Sequence, residues 1–250
     1  MKVSEADKQQ TRLRLLDAAV DVISEKGFKS ASMREIARRA EVGDATIYNY
    51  FPTKEALLYG YCEHVQHEVM RALQAIPNFH EYSLQEQLHQ LVETQLRVWL
   101  PAREFLQHVF ALTFAAPVAS HSHLTATREA FMAMVVDLLD AAIEVGEIPQ
   151  QPYQELLPRL FWDYMSAILA YWLKDESDAF ANTTQVVDRS MDIVVPLLQG
   201  ALVGKTLDLL SFLFRTHVLA NLNRFADVQD FSHTGATKRR FMHGEEENDS

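Results

Sequence analysis

SMREIARRAEVGDATIYNYF, residues Ser32 to Phe51, decides how the chain is read. Ser32-Met33-Arg34-Glu35 has the spacing of a capping box. There the serine hydroxyl accepts from a first-turn N–H and the glutamate reaches back to the cap's own N–H. Met33, Ile36, Ala37 and Ala40 recur at i, i+3, i+4 and i+7, the spacing of one apolar helix stripe, and Arg34, Arg38 and Arg39 fall mostly outside it. Glu41-Val42-Gly43 reads as a tight turn, and Gly43 or Asp44 can cap a second helix. In that helix Ile47 and Phe51 lie one turn apart and can pack inward, which leaves Ala45, Thr46, Tyr48, Asn49 and Tyr50 on or near the outer surface. Two short helices joined this way form a unit that can lay a helix in a DNA groove. Thr46, Asn49 and the tyrosines can hydrogen-bond to phosphates or base edges without relying on charge.

Upstream, a helix is expected from about Gln10 to Lys26, with Leu13, Leu16, Val20 and Ile23 on its inner side and residues 1–9 frayed. Gly27 suits the left-handed position that ends it. Arg12 and Arg14 can reach a phosphate or simply form a solvated face. Downstream, Thr53 is a natural N-cap for a helix running from Lys54 to about Ala75, stopped before Pro77. This helix joins the head to the rest of the chain.

Residues ~10 to 60 resemble the N-terminal DNA-binding domain of the TetR (tetracycline-repressor-like) family of bacterial regulators. The resemblance rests on a helix ending in Gly27-Phe28, Ile36-Ala37, Ala40, Val42, Thr46-Ile47-Tyr48, Tyr50-Phe51-Pro52, and Lys54 followed by Glu55-Ala56-Leu57-Leu58. It covers about a fifth of the chain. It implies a head of three helices, a phosphate contact near Lys54, a homodimer formed through the last two long helices, and a body that binds a small effector. Ser32, Arg34, Ala45, Thr46, Tyr48, Asn49, Tyr50 and Lys54 are the candidate DNA-binding residues. The turn departs from the family pattern: Glu41 stands where Gly is usual, and Asp44 where Lys is frequent. A glutamate is strained at a turn position with φ > 0, and two acids beside the reading helix weaken phosphate attraction.

The composition agrees with an all-α chain. Gly and Pro number eight each among 250 residues, and no Asn-Gly or Asp-Gly hairpin signal occurs. The net charge of −11 argues against bulk nucleic-acid binding, but it is unevenly spread. Residues 1–60 hold ten Lys+Arg against nine Asp+Glu, and the other 190 hold thirteen against twenty-five. A near-neutral head can still bind DNA if its cations share a face. A single cysteine, Cys62, excludes an internal disulfide and suits a reducing cytoplasm. MKVSEADKQQ lacks the apolar core of a signal peptide, and no run of eighteen uncharged apolar residues predicts a membrane span.

The expected organisation is a helix-turn-helix head over residues 1–52, a helical ligand-binding and dimerisation bundle over 53–229, and a disordered tail over 230–250. Apolar residues cover more than one stripe of the segments Thr183–Gln199 and Leu202–Phe225, so one face can pack within the monomer and the other on a second copy. One head contacts too few bases for specificity, which also favours a dimer reading a palindrome with half-sites ~34–36 Å apart, or a multiple of that. Aromatic and methionine side chains crowd the body, and most belong to a core. Some can line a pocket for a small apolar or aromatic ligand; the candidates are Trp99, Arg103, His108, Phe131, Trp162 and Tyr171.

No catalytic motif is present and no cofactor is implied; Gly204-Lys205-Thr206 lacks the spacing and the preceding strand of a P-loop. The alternative to a regulator is a helical metalloprotein or enzyme using Glu63, His64, His67 and Glu68, which share a helix face at i+3 and i+4 spacing. His121-Ser122-His123 is a weaker candidate of the same kind.

Overall fold

In this computed structural model, which describes residues 4–114, 124–151 and 154–200, all regular structure is helical. The helices are α1 (Glu5–Lys26), α2 (Met33–Arg39), α3 (Ile47–Tyr50), α4 (Lys54–Gln74), α5 (Leu84–Trp99), α6 (Arg103–Phe114), α7 (Thr125–Glu144), α8 (Leu157–Trp172) and α9 (Ala181–Gln199). The expected helix over Leu202–Phe225, the expected tail and the His121–His123 segment lie outside the described residues.

Helix α1 begins earlier than its apolar pattern suggests. Ser4 accepts from Asp7 N at 3.1 Å and the Asp7 carboxylate accepts from Ser4 N at 3.2 Å, a full capping box that orders Glu5 to Gln9. The buried stripe is Leu15, Leu16, Ala19, Val22 and Ile23, and Leu13 and Val20 lie at its margin. Ile36 and Ala37 of α2, Ile47 of α3, Phe51, and Leu57 and Leu58 of α4 are also buried. Helices α2 and α4 both pack on α1, and together these side chains form the core of the head.

The Ser32 cap forms only half of the expected box. Its hydroxyl accepts from Glu35 N at 3.3 Å, but the Glu35 carboxylate turns instead to the Lys26 ammonium at the end of α1. Helix α2 then ends in a Schellman motif. Val42 N–H donates to Ala37 O at 2.9 Å and Glu41 N–H to Arg38 O at 3.2 Å. Glu41 occupies the left-handed position with φ 55°, so the strain foreseen for a non-glycine residue there is present. The same motif ends α7, where Gly146 takes the left-handed place at φ 77° without strain.

The body is built around α5, which packs on α4, α7 and α9, and α8 packs on α7 and α9. Ser83 and Glu86 form a full capping box at the start of α5. Leu84, Leu88, Leu91 and Trp99 lie on its buried stripe. The α8–α9 corner is polar and tightly bonded. Arg103 Nη2 lies 2.9–3.1 Å from the carbonyls of Trp172, Leu173 and Asp175, and its guanidinium stands over the rings of Trp172 and Phe180. Asp175 accepts from the N–H and hydroxyl of both Ser177 and Thr183 at 2.6–2.9 Å. Those bonds hold its carboxyl well below the usual carboxylate range. They also supply the cap that Phe180, at φ 58°, does not give to α9.

Candidate functional site

The helix after the turn presents a small outward face. Ala45, Tyr48 and Asn49 are exposed, Thr46 and Tyr50 are half-buried, and Ile47 and Phe51 point into the core. The pair Ile47 and Phe51 therefore anchors α3 as the spacing predicts. The cap does not follow the prediction: Thr46 is the N-cap residue and makes no side-chain cap bond. Asp44 is drawn away by Arg34, whose Nε lies 2.5 Å from its carboxylate.

The cations of the head are largely engaged with its acids. Arg39 forms a two-pronged pair with Glu25, Lys26 pairs with Glu35, and Arg12 lies over the Phe51 ring with Glu63 3.7 Å away. Lys54 is not presented as a free phosphate ligand. Its ammonium donates to the carbonyls of Phe28, Lys29 and Ala31 and sits 4.5 Å from the Phe28 ring centre, so it ties the α1–α2 loop to the start of α4. Ser32 is exposed beside it. Among the described residues of the head, Arg14, Lys29 and Arg38 are exposed and carry no ion pair. The sequence offers Arg14 as a phosphate ligand or a solvated face, but Lys29 and Arg38 were passed over as DNA-facing candidates.

The proposed metal ligands do not assemble. Glu68 is taken by Arg71 and Glu63 faces Arg12, which leaves His64 and His67 without a third ligand. Among the described residues no three of His, Cys, Asp or Glu gather around a point. Burial pushes the His64 pKa below its ordinary value.

A cavity of about 870 Å³ lies between α4, α5, α6, α7 and α8. Three of the six predicted ligand residues line it: Trp99, Phe131 and Trp162. Phe131 stacks on Phe161 at 6.0 Å and meets Trp162 edge-on at 5.5 Å, which fixes one wall. The other three lie elsewhere. Arg103 caps the end of α8, Tyr171 is exposed, and His108 faces the end of α1, its Cε1 3.7 Å from where a Cβ on Gly27 would stand. Cys62 also lines the cavity; burial pushes its thiol up to about 12, so it stays protonated.

Four buried lining residues were missed: Gln66, Gln95, Thr113 and Thr127. Each carries at least one side-chain polar atom with no hydrogen-bond partner. Arg103 Nε and Gln151 Oε1 share that condition outside the cavity. A signal was available. Gln95 interrupts the stripe Leu84, Leu88, Leu91, Trp99, and Thr127 heads the stripe Phe131, Val135, Leu139. A polar residue in an apolar register is buried by its neighbours whether or not it has a partner.

The comparisons with known proteins agree with this arrangement. Residues 15–59 match the family described as bacterial regulatory proteins, tetR family. Residues 87–213, half of the chain, match the tetracyclin repressor-like C-terminal domain. The HTH-type transcriptional regulator UidR of Escherichia coli is 43% identical over 54 residues, which is 22% of this chain and 28% of that protein. The HTH-type transcriptional repressor KstR of Mycolicibacterium smegmatis is 44% identical over 55 residues, 22% of this chain and 26% of that one. The matched region thus spans about a quarter of the length of these curated relatives. The fatty acid degradation regulator FadR of Bacillus halodurans superposes with a TM-score of 0.59 at 20% identity, over 80% of this chain and 97% of that chain, a likeness of fold. A helix-turn-helix head of the TetR type, a body of the matching type and a helical fold shared with solved regulators together place this chain in the TetR family of transcriptional regulators.

Proposed function

We propose that the chain is a homodimeric repressor that binds a palindromic operator and is released from it by a small, largely apolar ligand in the body cavity. It acts in the cytoplasm, by binding rather than by catalysis. The observation that carries this reading is that α4 and α6 each line the cavity and also touch the head. Cys62 and Gln66 of α4 belong to the wall. Two residues before Cys62, Gly60 seats Phe51, where an added Cβ would stand 2.8 Å from the ring. On α6, Leu106 and Val109 line the cavity, and His108 between them packs towards Gly27 at the end of α1.

A ligand that spreads α4 from α6 therefore bears on both supports of the head. It shifts the population towards head positions that no longer match two half-sites, provided it binds that state more tightly. The domain division at residues 52 and 53 takes its meaning from this joint. A dimer surface is available on α9, where Val186, Ile193 and Leu197 are exposed at i, i+7 and i+11. The name of the relative KstR supports repression rather than activation.

Fluorescence anisotropy with the intergenic DNA upstream of the protein's own gene tests the reading. Wild type is expected to bind as a dimer. Tyr48→Ala is expected to lower affinity at least tenfold, since Tyr48 is 53% exposed on α3 and supports no core. Ile193→Glu is expected to yield monomers that no longer bind. Equal affinity in wild type and Tyr48→Ala would remove α3 from the interface and sink the proposal.

A further inference from the structure

We propose that the effector is uncharged where it is buried and carries both a hydrogen-bond donor and an acceptor, as a primary amide or a hydroxylated amide does, on an apolar body. This rests on the reading of the cavity as the effector site and specifies its ligand class.

Gln66 is 2% exposed, and both its carboxamide nitrogen and its oxygen lack partners. Gln95, 5% exposed, has an unpartnered carboxamide oxygen. Thr113 and Thr127, 2% and 7% exposed, have unpartnered hydroxyls. These groups line the same cavity from α4, α5, α6 and α7, so they converge on one ligand from four sides. The two glutamine oxygens can only accept, and the Gln66 nitrogen can only donate. A ligand that completes the set must bring at least one N–H or O–H and at least one acceptor.

A carboxylate offers acceptors alone. It would leave both glutamine oxygens unsatisfied and face them with like partial charge. Nor is there, among the described lining residues, a buried cation to receive it. The charged lining residues, Arg128, Asp163 and Lys174, are all exposed, and Arg103 is engaged at the α8–α9 corner. An unpaired ion in an apolar chamber is disfavoured far more than an unpaired dipole. The remaining walls, including Trp99, Leu106, Phe131 and Trp162, accept the apolar body.

The test uses the full-length protein at pH 8 with Nile red, a neutral apolar dye, as the cavity reporter. Decanamide, decanol and decanoate serve as competitors with one common chain. Ala170→Phe, which fills the cavity, is expected to abolish dye binding; unchanged dye binding in this variant would overturn the cavity reading itself. With that control passed, decanamide is expected to displace the dye at concentrations at least tenfold below decanoate, with decanol between them. Gln66→Leu is expected to weaken decanamide about tenfold, the loss of one to two hydrogen bonds, while the dye still binds. Gln95→Leu is a second variant should Gln66→Leu fail to fold. Decanoate competing as well as decanamide, with its binding lost in Arg128→Ala, would put the polar group at the charged mouth and overturn the proposal. Dye binding with displacement by none of the three would overturn it as well.

Discussion

Two sets of buried polar groups lie within the same body and differ in one respect. At the α8–α9 corner both oxygens of Asp175 accept two bonds each, and one Arg103 nitrogen reaches three carbonyls, although the buried Arg103 Nε has no partner. On the cavity wall Gln66, Gln95, Thr113 and Thr127 leave five side-chain atoms unpartnered. The corner spends its polar groups on the protein's own backbone, and so holds two helices in register. The wall leaves its groups without partners in the protein, which costs stability unless something else completes them. Hydrogen-bond saturation tells the two sets apart.

Substitutions on each side put that contrast to the test. The largest effect is expected at the corner: Arg103→Ala should lower unfolding stability by about 2–3 kcal/mol, the scale of losing charge-assisted bonds to several carbonyls. Chemical denaturation would measure it, and a loss near zero would mean the corner is not a structural clamp.

Next comes Asp175→Asn, expected to lower Tm by several degrees near neutral pH. The carboxyl is depressed in the folded state, so its contribution is complete above the ordinary carboxylate range and is lost as pH falls from there through the depressed value. The Tm gap between wild type and Asp175→Asn should therefore narrow as the solution is acidified below about pH 4. A gap that does not change with pH would assign the effect to geometry rather than charge.

The smallest effect belongs to the wall. Thr113→Val with Thr127→Val should leave stability unchanged or raise it by up to about 1 kcal/mol, because each substitution removes an unsatisfied hydroxyl at nearly constant volume. A clear loss of stability would show that those hydroxyls serve the fold.

The same contrast explains what could be read in advance. The head was legible because its signals are local: capping residues, a tight turn, and Ile47 one turn from Phe51. The aromatic wall was legible in part, since Trp99, Phe131 and Trp162 declare a core or a pocket by their bulk. Arg103 and His108 were misplaced because a charged residue on an amphipathic helix does not reveal which neighbour it meets. That depends on how α6 crosses the ends of α1 and α8, set by packing among residues distant in sequence. The surroundings of Lys54 were hidden for a similar reason. Its position at a helix N-terminus follows from its sequence, but that the carbonyls of Phe28, Lys29 and Ala31 reach its ammonium depends on how the α1–α2 loop folds back. The glutamines and threonines of the wall were visible as interruptions of apolar stripes, although the cavity that gives them meaning appears only when five helices are assembled.

On the proposed function, the pairing of Arg34 with Asp44 would bear on how the protein searches a genome. Asp44 acts as a built-in counter-ion, held 2.5 Å from the guanidinium by the fold rather than drawn from solution. A phosphate that engages Arg34 must displace a carboxylate that cannot diffuse away, so less entropy is released than for a cation dressed only in mobile salt. On that reading, random DNA, which offers little beyond phosphates, would gain less from Arg34 than from an unpaired arginine. An operator that also engaged Tyr48 and Asn49 would lose the smaller share. The acid beside the reading helix would then trade some affinity for discrimination.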